Sequence, residues 1–119
     1  MLRITVLAGA AAAVILLGIA VAGAHHGWGS YDAANPVTIE GPITESSYQN
    51  PHATIKIKAA DKTWTVTLAP VSRMSTRGAT DGMVAVGKTI SAFGYPSKAQ
   101  GDEMRAEWIK ADGQTIQLR

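Results

Sequence analysis

The stretch Thr54-Ile55-Lys56-Ile57-Lys58-Ala59-Ala60-Asp61-Lys62-Thr63-Trp64-Thr65-Val66-Thr67-Leu68 decides the fold class. Ile55, Ile57 and Ala59 alternate with Thr54, Lys56 and Lys58, and Trp64, Val66 and Leu68 alternate with Thr63, Thr65 and Thr67. A period of two sends alternate side chains to opposite faces, the mark of half-buried antiparallel strands. Ala60-Asp61-Lys62 reads as the hairpin turn between them. Upstream, Val37, Ile39 and Ile43 alternate with polar residues up to Gln49. Downstream, Pro70 to Asp81 breaks the alternation and is expected to hold one short helix, capped by Ser72 or a neighbour and stopped by Gly78. Val84 to Tyr95 reads as a further strand, with Gly94 and Pro96 closing it. Met104 to Lys110 is a segment of the same kind. Asp112-Gly113 is a strong hairpin signal before a short last strand, Thr115 to Leu118. The predicted fold class is therefore mostly β: a small OB-like Greek-key β-barrel with one short helix between the third and fourth strands. An open sandwich or meander of the same strands is the alternative.

The chain has 119 residues, which suits one domain. Ile4 to Ala24 carries no charge, follows Arg3, and ends in Ala22-Gly23-Ala24. A charged start, an apolar middle and an A-x-A-like end predict a secretory signal helix over 1–24. An uncleaved membrane anchor is the competing reading. Residues 25–36 (HHGWGSYDAANP) form an irregular arm, with Trp28 and Tyr31 expected to tack it onto the barrel of residues 37–119. The address is periplasmic or secreted, with membrane contact only through an uncleaved signal sequence. Without Arg3 there remain ten Lys and Arg against nine Asp and Glu, scattered along the chain. Strong binding to a nucleic-acid backbone needs clustered cations, so no nucleic acid is expected as a partner. The absence of cysteine excludes disulfides, thiolate zinc sites and a Cys nucleophile.

Several of these segments together resemble the DUF6152 family of small exported bacterial proteins of unknown function. The resemblance rests on Ala24-His25-His26-Gly27, on Pro36-Val37-Thr38-Ile39-Glu40-Gly41, on Asn50-Pro51-His52, and on Gly87-Lys88-Thr89 through Gly94-Tyr95-Pro96. Many relatives carry Ser-Phe where this chain has Gly27-Trp28, which leaves the aromatic in place. The resemblance supports the fold and the address and implies no activity.

The chemistry of the chain is concentrated in its three histidines, His25, His26 and His52. Cleavage after Ala24 makes His25 the first residue. Its amine and imidazole can then share one metal ion, and His26 or His52 can complete a three-nitrogen histidine brace. Such nitrogen-rich tetragonal sets favour Cu(II). Cleavage one residue earlier gives Ala24-His25-His26, in which a third-place histidine wraps Cu(II) or Ni(II) together with backbone amides. Pro51 fixes its own φ and biases Asn50 to an extended conformation, so Asn50-Pro51 is expected to be a rigid corner presenting His52 at the mouth of the second strand. The bland alternative is a solvated chain end, with His52 satisfying a turn. Met74, Met83 and Met104 are read as core rather than as soft copper ligands.

The function expected first is thus a non-enzymatic copper-binding protein using His25, His26 and His52. The alternative is an OB-type accessory module that binds a peptide, small ligand or envelope protein without metal, through a patch of Trp28, Phe93, Tyr95, Arg73 and Arg77. Trp64 and Trp108 are further candidates for a stacking platform with Phe93 and Tyr95, although Trp64 keeps the apolar register of its strand. Phe93 and Tyr95 fall on the register opposite Ile90 and Ala92, so one of these two pairs faces outward or toward the helix. Ser72, Ser75 and Thr76 have no histidine placed to serve as a base, and the carboxylates show no pairing by spacing, so no catalytic set is expected.

Overall fold

In the computed structural model, residues 27–119 are described; residues 1–24, expected to be a signal helix, and His25 and His26 lie outside them. The alternating stretches form β1 (Val37–Ser47), β2 (Thr54–Lys58), β3 (Thr63–Thr67), β4 (Thr89–Pro96), β5 (Glu103–Ala111) and β6 (Gln114–Gln117). Neighbours run β3-β2-β1-β4-β5-β6, and β3 also pairs with β5. That last pairing is parallel, Thr65 to Thr67 against Glu103 to Arg105, and it closes five strands into a barrel. β6 extends β5 as a hairpin through Asp112 and Gly113, whose φ values of 50° and 75° match a type I′ turn.

The period of two has its expected consequence. Ile39 and Ile43, Ile55 and Ile57, Trp64 and Val66, Ile90 and Ala92, and Met104, Ala106 and Ile109 all point into one core. Met74, like Met104, is fully buried. Trp64 keeps its indole N–H satisfied by donating to Asp61 Oδ1 at 3.2 Å. β1 serves two partners in turn: Val37 to Pro42 pair with β4, and Ile43 to Ser47 pair with β2. A register shift between Ile43 and Glu45 marks the bend between the two halves, as bulges do in closed sheets.

The α-helix of the described residues, α1 (Val71–Thr76), follows β3 and drops Met74 onto the core. Its ends differ from expectation at one side and agree at the other. The N-cap is Pro70, not Ser72, and no side chain caps it from within the helix. Asn50, from the β1–β2 connection, reaches over and accepts the Val71 N–H at 3.4 Å. At the other end Gly78 has φ +88°, and the Ala79 N–H donates to the Met74 carbonyl at 2.8 Å, a Schellman closure. The strand expected from Val84 starts only at Thr89. Asp81–Val84 is a 3₁₀ turn that buries Val84, and Gly87 at φ +92° turns the chain into β4. The apolar character of Val84 therefore reflects a core contact made by a turn.

Two glycines carry a steric requirement. A Cβ on Gly94 would run into the Arg105 carbonyl across the β4–β5 pair, and one on Gly41 into the Lys58 carbonyl. Backbones approach there more closely than any side chain allows. Gly94→Ala is expected to lower unfolding stability by about 2 kcal/mol or more, since backbone cannot move aside as a flexible side chain can. Gly82→Ala, with nothing near its Cβ, serves as the control. Urea melts of the two variants check this; equal midpoints would show that β4 and β5 can separate without cost.

Candidate binding face

β4 turns Ile90, Ala92 and Gly94 inward, so Phe93 and Tyr95 stand on the outer surface, half-buried. In β5 a register shift opposite Phe93 and Gly94 leaves Phe93 paired with Trp108 and Gly94 with Ala106. The bulge places Trp108 outside beside Phe93 and Ile109 inside, where unbroken alternation from Met104 and Ala106 would reverse the two. Tyr95 pairs with Arg105, which therefore also points outward.

The N-terminal arm completes this face. Tyr31 bridges to Ser97 just beyond β4. The Asp32 N–H donates to the Pro96 carbonyl at 2.8 Å, and the Lys98 N–H to the Ser30 carbonyl at 3.0 Å. The Tyr31 hydroxyl donates to Glu103 Oε1 at 2.9 Å. So held, the 3₁₀ turn Trp28–Ser30 lays the Trp28 indole across the outer surface. Four rings then follow one another. Trp108 and Phe93 stack at 5.4 Å between centroids, Phe93 meets Tyr95 edge-on at 5.9 Å, and Tyr95 meets Trp28 edge-on at 6.0 Å. The Arg105 guanidinium lies 4.2 Å from the Trp28 ring centroid and that of Arg119 lies 4.4 Å from it. Both distances are within cation–π range.

Arg105 is 5% exposed although it belongs to the outer surface. Burial lowers its pKa, and the charges of Arg73 and Arg119 push the same way while Tyr31 opposes them. A guanidinium starts so far above neutrality that it stays cationic. Arg119 Nη1 lies 3.7 Å from Glu107 Oε1, and the Tyr95 hydroxyl donates to Glu107 Oε2. That hydrogen bond to a carboxylate, followed by burial, raises the Tyr95 pKa. For Tyr31 burial is the larger cause and the bond to Glu103 the next, with Thr67 and Arg105 pulling the other way.

Of the residues named from the sequence, Trp28, Phe93 and Tyr95 come together as one surface. Arg73 donates from Nη1 to the Leu118 carbonyl at 3.2 Å, and Arg77 from Nη1 to the Gln117 carbonyl at 3.2 Å. Both thus brace the end of β6, and only Arg73 acts on Arg105. Trp64 is in the core and outside the platform. The sequence does not mark Arg105, Arg119 and Glu107 as site residues, because the contacts that gather them span the barrel. Arg105 has one local signal: it alternates with Met104 and Ala106. His52 is half-buried and follows a cis Asn50–Pro51 peptide. Among the described residues no group of three His, Cys, Asp or Glu is placed to hold a metal ion; His25 and His26 are not among them. A cleft of about 330 Å³ lies beside the face, between the arm and the β4–β5 loop, lined by Ser30, Tyr31, Ser97, Lys98, Gln100 and Glu103.

The phenols give a pH test. Tyr31 and Tyr95 have folded pKa values raised above the ordinary 10.0. The stability they contribute is complete below that value and is lost as pH climbs through the raised one. Tyrosinate absorbance should show Tyr95 ionising above the ordinary value, and Glu107→Gln should bring it down. An unchanged titration in that variant would mean that the carboxylate does not hold the phenol.

No curated protein matches the chain. Among solved structures it is similar to TiaS in complex with a transfer RNA and ATP, at 13% identity and a TM-score of 0.52, and to TiaS with the same transfer RNA, AMPCPP and agmatine, at 16% identity and 0.51. Each likeness covers 68% of this chain and 19% of the other, so the chain spans about a fifth of the length of those structures. Identity this low speaks for the barrel fold alone. Residues 13–106 match the model of DUF6152, a family of unknown function, a span that takes in Trp28, Phe93, Tyr95 and Arg105 and stops short of Trp108 and Arg119. The chain belongs to the DUF6152 family.

Proposed function

We propose that the chain is an exported, non-catalytic binding module that holds a small ligand or an envelope partner on the outer face of β4 and β5. The observation that carries this reading is the run Trp108–Phe93–Tyr95–Trp28, with two guanidiniums over its last ring. Aromatic rings and arginine are the side chains that dominate binding surfaces, because they offer large apolar area with little rotamer entropy to lose. OB-type barrels commonly hold oligonucleotides and oligosaccharides on the face of their second and third strands. Here the outward residues of β2 and β3 are Thr54, Lys56 and Lys58, and Thr63, Thr65 and Thr67, with no ring for stacking. The grip therefore belongs to the opposite strands. Export rests on the uncharged run Ile4 to Ala24 and its Ala22-Gly23-Ala24 end.

Purification of the processed protein from the cell envelope tests this. A ligand or partner that co-purifies with it should fall by about tenfold in the double variant Phe93→Ser, Trp108→Ser, in keeping with the loss of two interface rings. A thermal melt matching the wild type is the control for folding. Equal recovery with the variant would move the binding surface elsewhere.

One observation favours copper at the chain end as a second reading. Thr67 faces the Tyr31 phenol of the arm, and Thr67 pairs with Thr54, two residues beyond His52. Two residues of strand are roughly 7 Å. Gly27 lies four residues before Tyr31, so the chain end at His25 and His26 has the length to reach the His52 corner. This reading expects stoichiometric Cu(II) binding that weakens as pH falls, because protons compete for amine and imidazole. It is overturned if neither His52→Ala nor an added N-terminal residue changes the affinity.

A further inference from the structure

We propose that the cleft between the N-terminal arm and the β4–β5 loop binds a small zwitterion, a free amino acid, whose ammonium group meets Glu103 and whose carboxylate meets Lys98. The inference goes beyond the ring face: none of Trp28, Phe93, Tyr95 and Trp108 lines this cleft.

The two charges of the cleft point to the ligand. Glu103 and Lys98 both line it, the first half-buried and the second exposed at the rim. Among the described residues neither forms an ion pair, with the other or with a third group. Glu103 Oε1 accepts the Tyr31 hydroxyl at 2.9 Å. An ionised carboxylate has about four lone-pair sites, so one phenol leaves most of that capacity unused. A half-buried anion with a neutral donor also gains more from a cation than an exposed one does, because solvent and salt screen it less. A ligand with an ammonium group alone would leave Lys98 unpaired, and one with a carboxylate alone would leave Glu103 so. A molecule that carries both bridges two opposite charges held apart across one cleft.

The walls are tied together by the chain itself. Tyr31 bridges to Ser97, and the Lys98 N–H donates to the Ser30 carbonyl at 3.0 Å. Ser97 Oγ accepts the N–H groups of Ala99 and Gln100, each at 3.2 Å. The Ser97 N–H donates to the Glu103 carbonyl at 2.8 Å, and the Glu103 N–H to the Gln100 carbonyl at 3.3 Å. Arm and loop are thus fixed to each other, and a ligand has little left to order. Gln100, also exposed at the rim, offers an amide donor beside Lys98. The volume of about 330 Å³ lies at the small end of the range of about 300–1,000 Å³ for ligand pockets. It suits one amino acid, and its mostly apolar walls suit an aliphatic side chain.

Titration of the processed protein with leucine at neutral pH, followed by the backbone amide NMR signals of the loop from Ser97 to Glu103, tests the proposal. Isopentylamine and 4-methylpentanoate serve as probes that each keep the apolar body and one charge. Leucine should shift the loop signals saturably, and each single-charge probe should bind more weakly. Glu103→Gln, which keeps an acceptor for Tyr31, should weaken leucine and isopentylamine by about tenfold or more, the loss expected for a charge-assisted hydrogen bond. It should leave 4-methylpentanoate no weaker. Lys98→Gln should weaken leucine and 4-methylpentanoate by about threefold, as for an exposed ion pair, and spare isopentylamine. Lys58→Gln, an exposed cation outside the cleft, should change none of the three. A purely structural effect on the loop does not give this crossed pattern. If Glu103→Gln melts early, the wild-type protein carries the test through its preference for leucine over both single-charge probes. The site is overturned if leucine does not saturate, if the three probes bind alike, or if a variant that melts like the wild type weakens all three equally.

Discussion

The parallel pairing of β3 with β5 is the contact on which the rest depends. It joins Thr65–Thr67 to Glu103–Arg105 and turns an open sheet into a barrel. Because it is parallel, no tight turn can make it, and the chain must pass through α1, the 3₁₀ turn and β4 before β5 arrives. That detour has two structural effects. It puts α1 over one end of the core with Met74 as the plug. It also brings the start of β5 beside Thr67, where Glu103 and Arg105 meet the arm.

Closure in so small a barrel demands bending, and the chain bends where it has no side chain or has one residue too many. Gly94 lets the Arg105 carbonyl approach, Gly41 does the same for Lys58, and β1 and β5 each take a register shift. The shift in β5 has a consequence beyond curvature. It flips Trp108 to the outside and Ile109 to the inside, and so supplies the fourth ring of the surface run. The device that shapes the barrel also builds its candidate binding face.

The arm is held by polar contacts with an apolar result. Backbone hydrogen bonds to Pro96 and from Lys98, with the Tyr31–Glu103 bond, fix its path, and Trp28 then shields Arg105 from water. Burying a guanidinium is costly. A cation–π contact worth about 0.5–2 kcal/mol helps to offset that. A buried cation under an indole, at the end of a run of four rings, distinguishes this face from an ordinary solvated strand pair.

Period-two alternation determined the strands, the hairpin turns and the mostly β class from sequence alone, because half-buried strands must segregate their side chains within a few residues. The Gly78 stop and the Asp112-Gly113 turn were legible for the same local reason: each needs a left-handed backbone. The helix cap was not legible, since its partner Asn50 comes from another connection, and Val84 misled because a buried turn and a strand are equally apolar. Phe93 and Tyr95 could be assigned to one register but not to the inside or the outside. Only the barrel's closure decided that, and only closure brought Arg105 and Arg119, which in sequence are scattered cations, onto the one Trp28 ring. Short-range pattern records which way a side chain points relative to its neighbours; which distant groups it meets is fixed by strand pairing, and that is a property of the whole chain.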